Sequence, residues 1–163
     1  MDLPTFLTHL DSVHGRTRRL VDVIPPDQID WRPAAGRWSF GDLIRHLAGI
    51  ERYMYGETVH GRPSRYPGHD PALGRSYHEA RAYYDRLHDE SRALFAALPA
   101  DRMTEKCLTP AGTPITVWKW LRAHLEHEAH HRGQLYLMLG ILGVPTPPIY
   151  GLTSEEVQAL TPP

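Results

Sequence analysis

A chain of 163 residues has room for one sizeable hydrophobic core, burying roughly 70% of the surface the unfolded chain exposes, and a second core is out of reach. Its 18 Lys and Arg against 19 Asp and Glu give a formal net charge of -1, which leaves no cationic excess for gripping a phosphate backbone and excludes nucleic acid as the main partner. Cys107 stands alone, so no internal disulfide can form, and early polar residues (Asp2, His9, Asp11, His14) with no long uncharged run predict a cytoplasmic chain with neither secretory signal nor membrane partner.

Leu3, Phe6, Leu7, Leu10, Val13, Leu20, Val21 and Ile24 recur at three- and four-residue steps behind Pro4, which predicts a first amphipathic helix stopped by Pro25 and Pro26. The stretch from Asp27 to Arg37 reads as a connection, with Trp31 and Trp38 flanking a turn signal at Pro33 to Gly36 and pinning it over one end of the bundle. Ser39 and Asp42 read as an N-cap and its partner, opening a second helix striped by Phe40, Leu43, Ile44, Leu47, Ile50 and Met54. On that helix His46 falls on the inward face, and Arg45 is expected to point away.

Residues 56 to 75 are dense in Gly and Pro and read as a long loop, carrying His60, Tyr66 and His69; such loops serve as lids or as tolerant surface. Ser76 and Glu79 form a capping box for a third helix, whose seam runs Tyr77, Ala80, Tyr84, Leu87, Ser91, Leu94 and Leu98 to Pro99. A small hairpin is expected between Met103 and Val117, around Pro110 to Thr113. Thr113 and Pro114 are read as opening the fourth and longest helix, which runs to about Leu142 with Trp118, Leu121, Leu125, Leu135, Met138 and Leu142 inward. A short helix from Ser154 to Leu160 is expected to cap the bundle. The fold class is therefore all-α: one domain over residues 1–163, an up-and-down antiparallel four-helix bundle with a long loop between helices 2 and 3.

Eleven histidines are many for this length, and the fourth helix concentrates them at His124, His127, His130 and His131. Residues four apart share a helix face, so His127 and His131 can grip one ion, and His46 is the only inward histidine of the second helix to complete a set of three. Imidazole nitrogens suit zinc, nickel, copper and iron. The bland reading is that these rings are exposed titrating groups or hydrogen-bonded core residues. His124 and His130 compete for the ligand role, Asp42 and Glu128 are candidate acceptors for a ligand N–H, Gly133 suggests a close helix approach, and Gln134 a polar contact near the site. Cys107 reads as a small half-buried residue.

The run His127-Glu128-x-x-His131-Arg132-Gly133-Gln134, the isolated His46 after a Trp38-Ser39 helix start and the Trp31-Arg32-Pro33 approach resemble the DinB/YfiT-like superfamily over nearly the whole chain. The resemblance implies a four-helix bundle, a divalent metal held by His46, His127 and His131, and commonly a homodimer. It also implies a metal-dependent transferase or isomerase using a low-molecular-weight thiol and acting on a small molecule; a three-histidine metal that activates bound water would instead make a hydrolase, and the alternative is a non-catalytic metal-binding stress-response protein. The His-Glu-x-x-His pattern is shared with zinc proteases, but no strand pattern accompanies it here.

Overall fold

The computed structural model describes residues 1–162. Helix α1 (Leu3–Val21) starts where the Asp2 carboxylate accepts from the Thr5 N–H, and α2 (Phe40–Ile50) and α3 (Tyr77–Ala96) start at the Ser39–Asp42 and Ser76–Glu79 capping boxes. Helix α4 (Val117–Ile141) has no side-chain cap; its first N–H donates to the Glu105 carbonyl instead. Ahead of it, β1 (Lys106–Leu108) and β2 (Pro114–Thr116) pair antiparallel, with Cys107 opposite Ile115. The expected hairpin is thus present, but the helix expected to open at Thr113 and Pro114 begins only at Val117, because Pro114–Thr116 form the second strand of that ladder.

The all-α four-helix bundle forms, and its two apolar clusters give the helix directions. One cluster joins Leu20 and Val21 of α1, Phe40 and Leu43 of α2, Ala80 and Leu87 of α3, and Leu135 and Leu139 of α4. The other joins Phe6 and Leu10, Ile50 and Tyr55, Phe95, and Val117 and Leu121. Helices α1 and α4 therefore run one way and α2 and α3 the other, a refinement of simple alternation. Helix α1 packs chiefly on α4, and α2 chiefly on α3, so each strong contact joins parallel helices.

Parallel neighbours need a connection that returns along the bundle, and this explains the long loop. The segment after α2 stays helical through a π-turn (Glu51–Tyr55) and Gly56–Thr58, three residues that the Gly and Pro count had assigned to the loop. The chain then runs back along α2: the Arg65 N–H donates to the Tyr53 carbonyl, the Tyr66 ring lies against Gly49, and the His69 and Gly74 carbonyls accept from Arg45. Arg45 is consequently fully buried and not outward-facing as expected; its third partner is the Asp42 carboxylate at 2.9 Å. A Cβ at Gly41 would stand 2.7 Å from the Arg45 Nη1, so glycine there leaves room for the guanidinium.

Helix α5 (Ser154–Leu160) is present but buries none of its residues, so it does not close the bundle core. Among the described residues no helix is long and apolar enough to cross a membrane. Trp31 and Trp38 both pack on the first cluster, as their indoles suggested. Cys107 is more buried than expected, and that burial pushes its thiol pKa up.

Candidate metal centre

Helix α4 places His127 and His131 one turn apart, facing His46 on α2. The Nε2 of His127 lies 3.1 Å from the Nε2 of His46 and 3.1 Å from the Nε2 of His131, so the three nitrogens converge on one point. Ligands about 2.05 Å from a tetrahedral ion stand roughly 3.3 Å apart, so this spacing fits a three-imidazole site for a divalent cation.

The groups behind the rings set which nitrogen faces the centre. Gln134 presents its Nε2 to His130 at 3.0 Å, which turns its Oε1 toward the His131 Nδ1 at 2.9 Å. The His131 Nδ1–H therefore donates to Gln134, and its Nε2 carries a lone pair toward the centre. Tyr66, on the returning loop, lies 2.7 Å from the His46 Nδ1, and its phenol oxygen can accept the Nδ1–H that a lone pair on Nε2 requires. Burial pushes the Tyr66 phenol up to about 12, so it stays protonated. The His127 Nδ1 is buried without a partner among the described residues.

Burial first, and the neighbouring imidazoles second, pull His46 and His127 down to about 3; burial also lowers His131, against the opposing hydrogen bond to Gln134. At neutral pH all three rings are uncharged and ready to donate a lone pair. The Trp38 indole lies against this cluster, 4.7 Å from the His46 ring and 5.7 Å from that of His131. Beside His131 opens a cavity of about 410 Å³, lined mainly by Trp38, Leu43, Gln134, Leu137 and Met138, with Arg37 also on its wall.

The other candidates part company with the triad. His124 is 1% exposed and faces Glu51 in the bundle interior, and His130 is exposed. Asp42 caps α2 and pairs with Arg32 and Arg45, so it is spent as a cap. Glu128 accepts from the Tyr84 hydroxyl inside the bundle and makes no hydrogen bond to a triad ring among the described residues. Among the described residues a Cβ at Gly133 would meet nothing within 4 Å, so the expected close approach is absent there; it occurs at Gly49, whose Cβ would stand 3.1 Å from the Tyr66 ring. Tyr66 was visible only as a loop residue, because its contact with His46 depends on the path the loop takes.

The DinB superfamily profile matches residues 9–135. The chain is 22% identical over 157 residues to the uncharacterized protein YrdA of Bacillus subtilis strain 168, covering 94% of this chain and 91% of YrdA. The solved structure of YfiT from Bacillus subtilis, described as a probable metal-dependent hydrolase with an unusual four-helix bundle topology, superposes with a TM-score of 0.69 at 17% identity, covering 88% of this chain and 89% of YfiT. A mycothiol-dependent maleylpyruvate isomerase superposes with a TM-score of 0.60 at 16% identity over 83% of this chain, which spans 61% of that larger protein. At these identities the structures share the fold.

Proposed function

This chain belongs to the DinB superfamily, and from that premise we propose that it is a cytoplasmic metal-dependent enzyme acting on a small molecule, with one divalent transition metal (zinc, nickel or iron) held by His46, His127 and His131. The observation that carries the reading is the convergence of three neutral imidazole nitrogens beside an open cavity. A reaction of the S-transferase type with a low-molecular-weight thiol is favoured, in keeping with the mycothiol named for the isomerase; hydrolysis, named for YfiT, is the second reaction class.

When bound, a divalent ion supplies Lewis acidity toward a thiol, water or carbonyl oxygen. The chain supplies the rest. Tyr66 and Gln134 hold the rings of His46 and His131 in place, so neither of these two has to reorient on binding. Trp38, Leu43 and Met138 give the cavity apolar walls that exclude water from the reacting groups, and Arg37 offers a cation to an anionic group of the substrate. A non-catalytic metal-binding stress-response protein is the alternative, and the open cavity argues against it, since a purely structural ion needs no access.

Elemental analysis of untagged protein purified without chelator should find one transition-metal ion retained by the triad. The loaded protein is then assayed with thiols and electrophilic acceptors, and with esters and amides. Activity unchanged in His127→Ala would remove the triad from the chemistry. The proposal extends to a homodimer, as the family resemblance implies, and is tested by sedimentation equilibrium.

A further inference from the structure

Between the two apolar clusters lies a second set of metal-ligating side chains. Glu51, at the start of the π-turn, and His124 and Glu128, one turn apart on α4, each offer one donor atom, and these atoms all lie within 4.8 Å of one another. The three residues are 4%, 1% and 2% exposed. The Glu51 Oε2 stands 3.0 Å from the His124 Nε2, and its Oε1 stands 3.0 Å from the His88 Nδ1 on α3. The Glu128 Oε1 accepts from the Tyr84 hydroxyl at 3.0 Å. From α1, the His14 ring stacks on His88 at 3.4 Å between centroids, and its buried Nδ1 has no partner among the described residues.

Two carboxylates in a desolvated interior stay charged only with positive charge nearby, and burial, with Glu51 beside it, pushes the Glu128 carboxyl up toward its neutral form. Among the described residues neither Glu51 nor Glu128 forms an ion pair with a lysine or arginine: Glu51 meets His88 and His124, and Glu128 meets a phenol. Compensation is left to imidazolium protons, to a proton on Glu128 or to a bound cation, and the donor layout favours the cation. It repeats the construction of the triad, one donor from the second helical segment and an i, i+4 pair from α4. Positions 124, 127, 128 and 131 interleave the two pairs on a single stretch of helix. Two carboxylates would neutralise a divalent charge in full. The 3.0 Å edge matches two ligands at right angles about 2.1 Å from one ion. Two oxygens and one nitrogen make a harder set than three imidazoles, which suits manganese or ferrous iron.

We infer that Glu51, His124 and Glu128 form a second divalent-cation site inside the bundle, of the manganese or ferrous type, which clamps the α2 segment to α4 behind the imidazole triad. The inference stands whether or not the triad holds a metal. Removing the triad with His46→Ala, His127→Ala and His131→Ala together should leave a protein that, refolded with Mn²⁺ and desalted, retains one manganese per chain and melts at a higher temperature with the ion than without. Adding Glu51→Gln and Glu128→Gln should abolish that retention. Because those variants can fail to fold, wild-type crystals grown with Mn²⁺ provide the second measurement, by anomalous diffraction at the manganese edge. A peak among Glu51, His124 and Glu128 supports the site. A peak confined to the triad, no peak at all, or no ion retained by the folded triad variant overturns it, and leaves a hydrogen-bonded histidine–carboxylate network in its place.

Discussion

Replacing Glu57 by Gln should remove a specific, pH-dependent share of the stability. Glu57 is 1% exposed, and its carboxylate meets Arg52 of the π-turn and Arg62 and Arg65 on the returning loop. Burial alone would raise its pKa, but the hydrogen bonds from Arg52 and Arg65 and the charge of Arg62 outweigh it and bring it to about 2, from an ordinary 4.5. A folded-state value below the unfolded one contributes stability that is fully present above about pH 4.5 and lost as pH falls toward 2. At about 1.4 kcal/mol per pH unit the difference is about 3 kcal/mol. Arg62 and Arg65 have side chains 48% and 63% exposed, so solvent screening reduces this to about 2 kcal/mol. Urea unfolding of wild type and Glu57→Gln at pH 7, 4.5, 3 and 2 measures it. At pH 7 the variant should be less stable by about 2 kcal/mol, and the two proteins should converge toward pH 2. A constant gap across that range would refute the reasoning, since it would mean that the loss comes from packing and not from the carboxylate charge.

Tyr66→Phe removes the hydrogen bond to the His46 Nδ1 and should weaken metal binding about tenfold in a chelator competition, with the fold unchanged; equal affinity would show that Tyr66 does not orient the ring. Gly49→Ala brings a methyl group 3.1 Å from the Tyr66 ring, so it should lower metal affinity in the same direction and have no further effect once Tyr66 is Phe. Arg45→Met strands the His69 and Gly74 carbonyls and the Asp42 carboxylate, costing about 2 to 4 kcal/mol, and limited proteolysis should then cut between residues 60 and 75 at sites the wild type protects.

Much of the helical framework was legible because its signals are local. The capping boxes at Ser39–Asp42 and Ser76–Glu79 form as read, and the apolar stripes lie on the buried faces. The histidine spacing on α4 was equally local: His127 and His131 share a face because four residues make about one turn, whereas His124 and Glu128, also four apart, were not read as a pair.

Local pattern could not tell which way each helix runs or what covers its outer face. Arg45 was expected in solvent because a charged residue beside an apolar stripe is normally solvated, yet the loop joining two parallel helices must retrace the length of α2, and its carbonyls bury the guanidinium. The same path delivers Tyr66 to His46, a contact between residues 20 apart in sequence that no helical periodicity encodes. Sequence alone determined which residues could form helices and which imidazoles share a turn, because both depend on backbone geometry within a few residues. Only the tertiary structure decided how two helices and the loop between them meet, because that depends on the packing of the whole bundle.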